Sequence, residues 1–321
     1  MKLLARLGHF ALAAFGLATL CLSILALAAP FGWVFALIGA WDHLVAAAAL
    51  LGAAASLIGR WRALAALNGL AALVLIVFMV RVPTNYVPTQ TPKTKDKGQV
   101  HLIWANVHLD RDALKRLASL KVAAKPQVIG LAEVPPKSDL RAHFPQFSAT
   151  QVNDTSKVYG VETIGCPTQD VTPIVNPASG RRFGLKAKCP GYTLFVLHLQ
   201  NPTRDRGLGL LQRDQELRAL SALIQGQSGP LIVMGDFNAT PSALPFYRLL
   251  TSAKLTRIAC GAPSTGTWRP IEWAGTNLDY MPGFKLSIDH VLVRDVAVLA
   301  CRVGPDVGSD HLPLIVTISP S

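Results

Sequence analysis

The sequence predicts one α/β or α+β domain of about 220 residues, set behind three apolar helices. Three observations carry that prediction. The first 81 residues hold Asp42 as their only acid and five bases, whereas the remainder has the composition of an ordinary globular domain. Between Gln99 and Ile318, apolar runs of strand length alternate with amphipathic helical stretches. Several of those runs end in or adjoin Asn, Glu, Asp or His, which need partners when buried.

The N-terminal region accounts for the chain's apolar excess, 50% hydrophobic residues and a mean hydropathy of +0.35. Three blocks are legible: Phe10 to Ala29, about Trp41 to Ile58, and Leu64 to Val80. A spanning helix needs about 20 apolar residues, so the first suffices and the others are slightly short. Asp42 and His43 interrupt a run that begins at Phe31, and their simplest place is near an interface, with Trp33 and Trp41 as anchors. Small residues four apart, such as Gly52 and Ser56, suit helix–helix packing.

Orientation follows from charge. Lys2 and Arg6 precede the first block, and Arg60 and Arg62 lie between the second and third. The positive-inside rule places the N-terminus in the cytoplasm and everything after Val80 on the far side, with Arg81 the one contrary charge. Residues 1–29 also read as a signal peptide ending in Ala26-Leu27-Ala28, and cleavage there leaves the same sidedness. Cys166, Cys189, Cys260 and Cys301 then face an oxidising compartment. Proximity in sequence suggests Cys166–Cys189 and Cys260–Cys301, with free buried thiols as the alternative. No Cys/His spacing suggests structural zinc.

Val82 to Gly98, rich in Pro, Thr and Lys, reads as an extended, solvated tether. After it come a strand at Gln99–Val107, a helix at Arg111–Lys121 and a short buried strand at Val128–Leu131. Four or five strand-like pieces follow between Phe147 and Leu199, then a helix at Leu208–Gln225 and a buried strand from Leu231. A helix at Ser242–Leu250 and strands at Leu286–Val293, Val296–Val303 and Leu312–Ile318 complete the chain. From Val82 onward 26 Lys and Arg face 18 Asp and Glu, a net charge of +8 that suits an anionic substrate.

The most informative run is Leu231-Ile232-Val233-Met234-Gly235-Asp236-Phe237-Asn238. In an extended segment Asp236 and Asn238 share a face and Phe237 takes the other. An acid and an amide side by side suit a site that orients water and phosphate. The first strand delivers Asn106, the second Glu133, a central one His198 and Asn201, and a late one Asp289 and His290. Ser309-Asp310-His311 precedes the last. Each alone has a bland reading as a core histidine or a turn cap. Gathered at one sheet edge they form a cleft rich in carboxylate, amide and imidazole.

These endings, in this order, resemble the endonuclease/exonuclease/phosphatase superfamily, over roughly Gln99 to Ile318. The Gly-Asp-Phe-Asn and Ser-Asp-His elements together with the upstream Glu carry the resemblance. The layout with Arg213, Gln215 and Leu217 in the preceding helix, and Gly266-Thr267-Trp268 later, is similar to membrane-anchored bacterial members. The resemblance implies a four-layer sandwich of two mixed sheets flanked by helices, and a hydrolase acting on phosphate esters. It implies Glu133 as the principal Mg²⁺ ligand, with Asn106 beside it and Asp310 assisting, and Mn²⁺ or another divalent cation as an alternative metal. Asp236 would orient or deprotonate the attacking water, and Asn238 would hold a phosphate oxygen. His311 would contact the phosphate with Asp289 fixing its tautomer, and His198 and Asn201 would meet the scissile phosphate.

There are departures. His108 stands where some members carry an acid, Gln127 and Ala132 replace a frequent Asp and Gln, and Val161-Glu162-Thr163-Ile164 occupies the place of a Ser-Arg element. The expectation is therefore a phosphoesterase tethered to the bacterial inner membrane by its N-terminal helices, its catalytic domain (residues 99–321) periplasmic or extracellular. The substrate stays open among nucleic acid, a phospholipid headgroup and a small phosphate ester. No protein partner is implied. A non-catalytic phosphate-sensing module and a transporter resting on Asp42 and His43 are the competing readings.

Overall fold

The computed structural model describes residues 2–90, 99–124, 126–136, 138–144, 149–153, 160–164, 171–261, 266–269 and 284–319. Four helices come first: α1 (Lys2–Leu27), α2 (Trp33–Gly39), α3 (Asp42–Ile58) and α4 (Arg62–Val80). α1, α3 and α4 pack on one another through small residues: a Cβ at Gly52 would collide with Thr19, and one at Gly16 with Ser56. A polar seam crosses the contact. Thr19 Oγ1 donates to Asn68 Oδ1 at 2.9 Å, and Asn68 Nδ2 donates to the Gly16 carbonyl at 2.9 Å. Large side chains such as Phe10, Leu51, Leu70 and Leu73 point outward and are exposed.

Where three spans were expected, two helices meet the requirement, or three if a bent helix pair counts as one span. Arg6–Leu27 and Arg62–Val80 are long and apolar enough to cross a membrane. α3 has 17 residues, the short end of what a bilayer requires, and reaches a third span only if counted with α2, from which it is bent by 72°. Asp42 begins α3 at that bend, where the sequence has it interrupt the apolar run.

Two mixed sheets pack face to face beyond these helices. The first strand, β1 (Thr84–Tyr86), is followed by β2 (Val100–Asn106), α5 (Arg111–Ala124), β3 (Val128–Ala132) and α6 (Leu140–His143). Five strands follow, in agreement with the sequence: β4 (Ala149–Asn153), β5 (Gly160–Ile164), β6 (Val171–Val175), β7 (Arg182–Cys189) and β8 (Tyr192–His198). Next come α7 (Leu208–Gln225), β9 (Leu231–Asp236), α8 (Leu244–Ser252), β10 (Thr256–Ala259), β11 (Asp289–Arg294), β12 (Ala297–Val303) and β13 (Leu314–Ser319). One sheet has the order β1-β10-β11-β9-β8-β7-β6 and the other β12-β13-β2-β3-β5-β4.

Between the sheets lies an apolar layer that includes Trp104, Val128, Val196, Met234, Val291 and Val316. α7 and α8 cover the outer face of the seven-stranded sheet through Leu217, Leu220, Phe246 and Leu249. α5 covers the six-stranded sheet through Ala113, Leu114 and Leu117. Strands buried on both faces read as unbroken apolar runs, which is why β3 and β9 were legible.

Two stretches depart from expectation. The start of the 82–98 segment is structure, not a solvated tether. Val82 is 6% exposed inside the cluster beneath α8, and β1 pairs in parallel with β10. The Pro83 carbonyl accepts from Arg257 N and the Pro88 carbonyl from Cys301 N, each at 2.9 Å. The prolines mislead because an edge strand tolerates them where their missing N–H is not needed. Residues 91–98 lie outside the described residues. The strand expected from Leu286 starts at Asp289, since Leu286 instead bridges to Trp268. Cys260 and Cys301 are disulfide-bonded as expected, linking β12 of one sheet to the end of β10 in the other. The Cys166–Cys189 pairing falls outside the described residues.

Candidate active site

Register assembles the site. In the seven-stranded sheet Asp236 on β9 is paired in parallel with His198 on β8 and antiparallel with Asp289 on β11. In the six-stranded sheet Asn106 on β2 is paired with Ala132 on β3, so Glu133 emerges just beyond it. Gly235 permits the approach of β8 to β9: a Cβ there would collide with the Leu197 carbonyl. The two sheets thereby bring five polar endings to one edge.

Asn106 Nδ2 lies between the carboxylates, donating to Glu133 Oε1 at 3.0 Å and to Asp236 Oδ2 at 3.2 Å. His198 Nε2 stands 3.3 Å from Glu133 Oε1 and 3.9 Å from Asp236 Oδ2. Opposite, a relay runs from Trp104 to His311. Trp104 Nε1 donates to Asp289 Oδ1 at 2.8 Å, Asp289 Oδ2 holds His311 Nδ1 at 2.7 Å, and His311 Nε2 is 3.7 Å from Asp236 Oδ2. A carboxylate on Nδ1 leaves Nε2 as the atom that faces the cleft. Ser309 Oγ ties this loop to β2 by donating to the Asn106 carbonyl at 2.8 Å. Trp268 Nε1 donates to Asp310 Oδ2 at 3.0 Å.

The backbone is in the left-handed region at Glu133 (φ 51°), His108 (φ 48°) and Asn238 (φ 47°). Such conformations cost non-glycine residues free energy and cluster at functional sites. Surrounding contacts hold them. Asn238 N–H donates to Asp236 Oδ1 at 2.8 Å, Asn238 Nδ2 to the Leu199 carbonyl at 2.9 Å, and Arg213 Nη1 to the Asn238 carbonyl at 2.9 Å. Beneath the end of β8, fully buried Glu216 pairs with Arg181 at 2.8 Å and accepts from Gln200 N–H at 2.8 Å.

Electrostatics separates the acids. Burial works against charge on Glu133, but hydrogen bonds from His108, His198 and Asn106 outweigh it and hold its carboxyl well below the usual range. Burial pushes Asp236 the other way, up to about 6, despite His311 nearby. His311 is disfavoured as a cation by burial, yet Asp289 and Asp236 raise it to about 10.

Asn106, Glu133, His198, Asp236, Asp289 and His311 therefore converge. Asp310 flanks them, its Oδ1 4.0 Å from His311 Nε2. Asn238 borders the same cavity with its amide nitrogen engaged by the backbone. Asn201 is exposed and turns its Oδ1 to Thr203, although it too lines the cavity. His290 is not part of the cluster: it is buried on the other face, where Nε2 meets the Ala239 carbonyl at 2.9 Å. Sequence reasoning missed Trp104 and Glu216, whose roles need the second sheet and α7 to be in place. It singled out His108 only as a departure and gave it no role, yet its Nδ1 lies 3.3 Å from Asp310 Oδ1 and 3.5 Å from Glu133 Oε2.

The donor set fits a divalent cation. Glu133, His198 and Asp236 offer ligand atoms within 4.8 Å of one another, and Asp236, Asp289 and His311 form a second such group. Among the described residues the ion-pair partners of Glu133 and Asp236 are histidines, so no Lys or Arg already supplies the permanent positive charge. Carboxylate oxygens suit a hard cation. As placed, Asn106 turns its amide nitrogen to the carboxylates, and a ligand role requires the amide to rotate so that oxygen replaces nitrogen.

Comparison with known proteins agrees with this geometry. No curated protein matches the chain. Among solved structures, the 3'-5' exonuclease NExo of Neisseria meningitidis superposes with a TM-score of 0.55 at 18% identity, over 68% of this chain and 98% of that one. An AP endonuclease from Archaeoglobus fulgidus gives a TM-score of 0.56 at 13% identity, again over 68% and 98%. At these identities the likeness is one of fold. The model described as the Endonuclease/Exonuclease/phosphatase family matches residues 103–311, which spans Asn106 through His311. The chain belongs to the endonuclease/exonuclease/phosphatase family and is a metal-dependent hydrolase.

Proposed function

We propose that the protein is a membrane-tethered phosphoesterase that hydrolyses phosphate esters on the far side of the membrane from its N-terminus. The observation that supports this most is the convergence of Glu133, His198 and Asp236 with the Asp289–His311 pair on one sheet edge. Glu133 and Asn106 would hold Mg²⁺ (or Mn²⁺), with Asp310 assisting. When bound, the metal neutralises phosphate charge and stabilises the leaving oxygen.

The chain's own groups do the rest. Asp236, buried and raised toward neutrality, orients the attacking water and accepts its proton. His311 donates from Nε2 to a phosphoryl oxygen, and Asp289 keeps its tautomer and stabilises its charge. His198 and Asn238 bind the remaining phosphoryl oxygens, and Asn201 extends the phosphate contact at the mouth. Exposed large apolar side chains on α1, α3 and α4 and the basic residues at Lys2, Arg6, Arg60 and Arg62 support a bilayer anchor with a cytoplasmic N-terminus. The site then faces the periplasm or exterior of a bacterium.

Purified full-length protein with Mg²⁺ is expected to hydrolyse bis(4-nitrophenyl) phosphate or 4-nitrophenyl phosphate and to stop on addition of EDTA. Asp236→Asn should lower the rate by about 10³-fold or more. Full activity in that variant would sink the mechanism.

A further inference from the structure

The catalytic edge shares a partly open cavity with the N-terminal helices. It forms the floor of this cavity, of about 1340 Å³, whose opposite wall is made by those helices. Glu133, Asp236 and His311 line one side. Leu27 at the end of α1, Leu37 on α2, and Leu75 and Phe78 near the end of α4 line the other. The helices are seated there by specific contacts. Trp33 packs over Gly207, where even a Cβ would collide with its ring. The Arg81 guanidinium lies between the rings of Phe78 and Tyr247, 4.2 and 4.3 Å from their centroids.

Two features mark this wall as built for a ligand. Leu211 on α7 is 59% exposed yet lines the same cavity, so the apolar surface continues from the helices onto the hydrolase. Exposed Arg218 and Arg248 flank the cavity and favour an anionic surface.

A cavity joining a phosphate-ester site to an aliphatic wall at helix ends matches an amphiphile. We infer that the substrate is a membrane-derived amphiphilic phosphate ester, whose head reaches Asp236 and His311 while its hydrocarbon chain lies against α1, α2 and α4. This rests on the phosphoesterase reading above and narrows it. Nucleic acid fits less well: it has no hydrocarbon chain to bury, and unpaired bases bind on aromatic platforms, whereas this wall is largely aliphatic. In the reaction, water adds to phosphorus, the P–O bond to the alcohol breaks, and the water's proton ends on the departing alkoxide. The products are an alcohol and a phosphate shortened by that group.

The test uses full-length protein in mixed micelles with Mg²⁺. Dioleoyl and dihexanoyl forms of phosphatidic acid and phosphatidylglycerol are compared with glycerol phosphate, bis(4-nitrophenyl) phosphate and single- and double-stranded DNA. The expected result is kcat/KM at least 10-fold higher for the better dioleoyl substrate than for its dihexanoyl form and for DNA. Ala36→Trp, which fills the wall of the cavity without touching the polar cluster, should erase that preference and leave bis(4-nitrophenyl) phosphate hydrolysis within twofold. Equal rates across chain lengths, or faster cleavage of DNA, overturn the inference and leave the phosphoesterase reading standing. No hydrolysis of any ester overturns both. Should Ala36→Trp fail to fold, the chain-length series on the unaltered protein still decides.

Discussion

The floor and the wall of the cavity are built on opposite principles. On the floor polar groups hold one another: Trp104 bonds to Asp289, Asp289 to His311, and Asn106 to two carboxylates. Such a network is stiff, and each member fixes the charge state of the next. The wall is apolar and largely aliphatic, with Leu27, Leu37 and Leu75 beside Phe78. The difference teaches that chemistry and substrate choice are separable here. The floor can act on any phosphate ester, and the wall decides which ester arrives.

That separation can be broken or sharpened by experiment. The largest effect belongs to the floor. His311→Ala should lower kcat by about 10³-fold on every ester alike, because it removes a donor aimed at the developing charge. A loss confined to amphiphiles would merge floor and wall. Asp289→Asn comes next, at about 10²-fold, since the imidazole keeps its position but loses its charge partner. With metal removed, the His311 ring followed by NMR should titrate below its raised value near 10 in this variant. An unchanged titration would mean that Asp289 does not set its charge.

A third comparison concerns the segment that joins the two regions. A chain beginning at Val82 should keep hydrolysis of bis(4-nitrophenyl) phosphate. One beginning at Gln99 loses β1 and the buried Val82, at a cost on the order of 2–4 kcal/mol of stability. Equal denaturant midpoints would show that the segment is a tether after all. The smallest effect is expected from Trp33→Ala, which loosens the seat of α2 on Gly207. It should change amphiphile turnover severalfold and small-ester turnover by less than about twofold, within the few tenths of a kcal/mol typical of a peripheral change.

The floor was almost wholly legible in the sequence. Asn106, Glu133, His198 and Asp236 each follow an apolar run, buried strands end where their runs end, and Asp289 opens the strand that carries Val291 to Val293. The family resemblance then joined them into one site. What was not legible depended on which surfaces meet. Trp104 reads as one more core aromatic until β11 is laid against the site. Glu216 reads as a helix-face acid until Arg181 arrives from β7's end of the sheet. The prolines between Val82 and Pro88 read as loop, because the pairing with β10 joins segments about 170 residues apart.

By itself, then, the sequence determined the alternation of buried strands and helices, the apolar helices at the N-terminus, and the inventory of acids, amides and imidazoles. These are local properties, set by side-chain period and by what must be buried. Only the tertiary structure decided that Asp236 lies between His198 and Asp289, that β1 belongs to the sheet, and that the ends of α1 and α4 border one cavity with the carboxylates. Register and docking arise from packing between segments far apart in the chain, and no single stretch of residues encodes them.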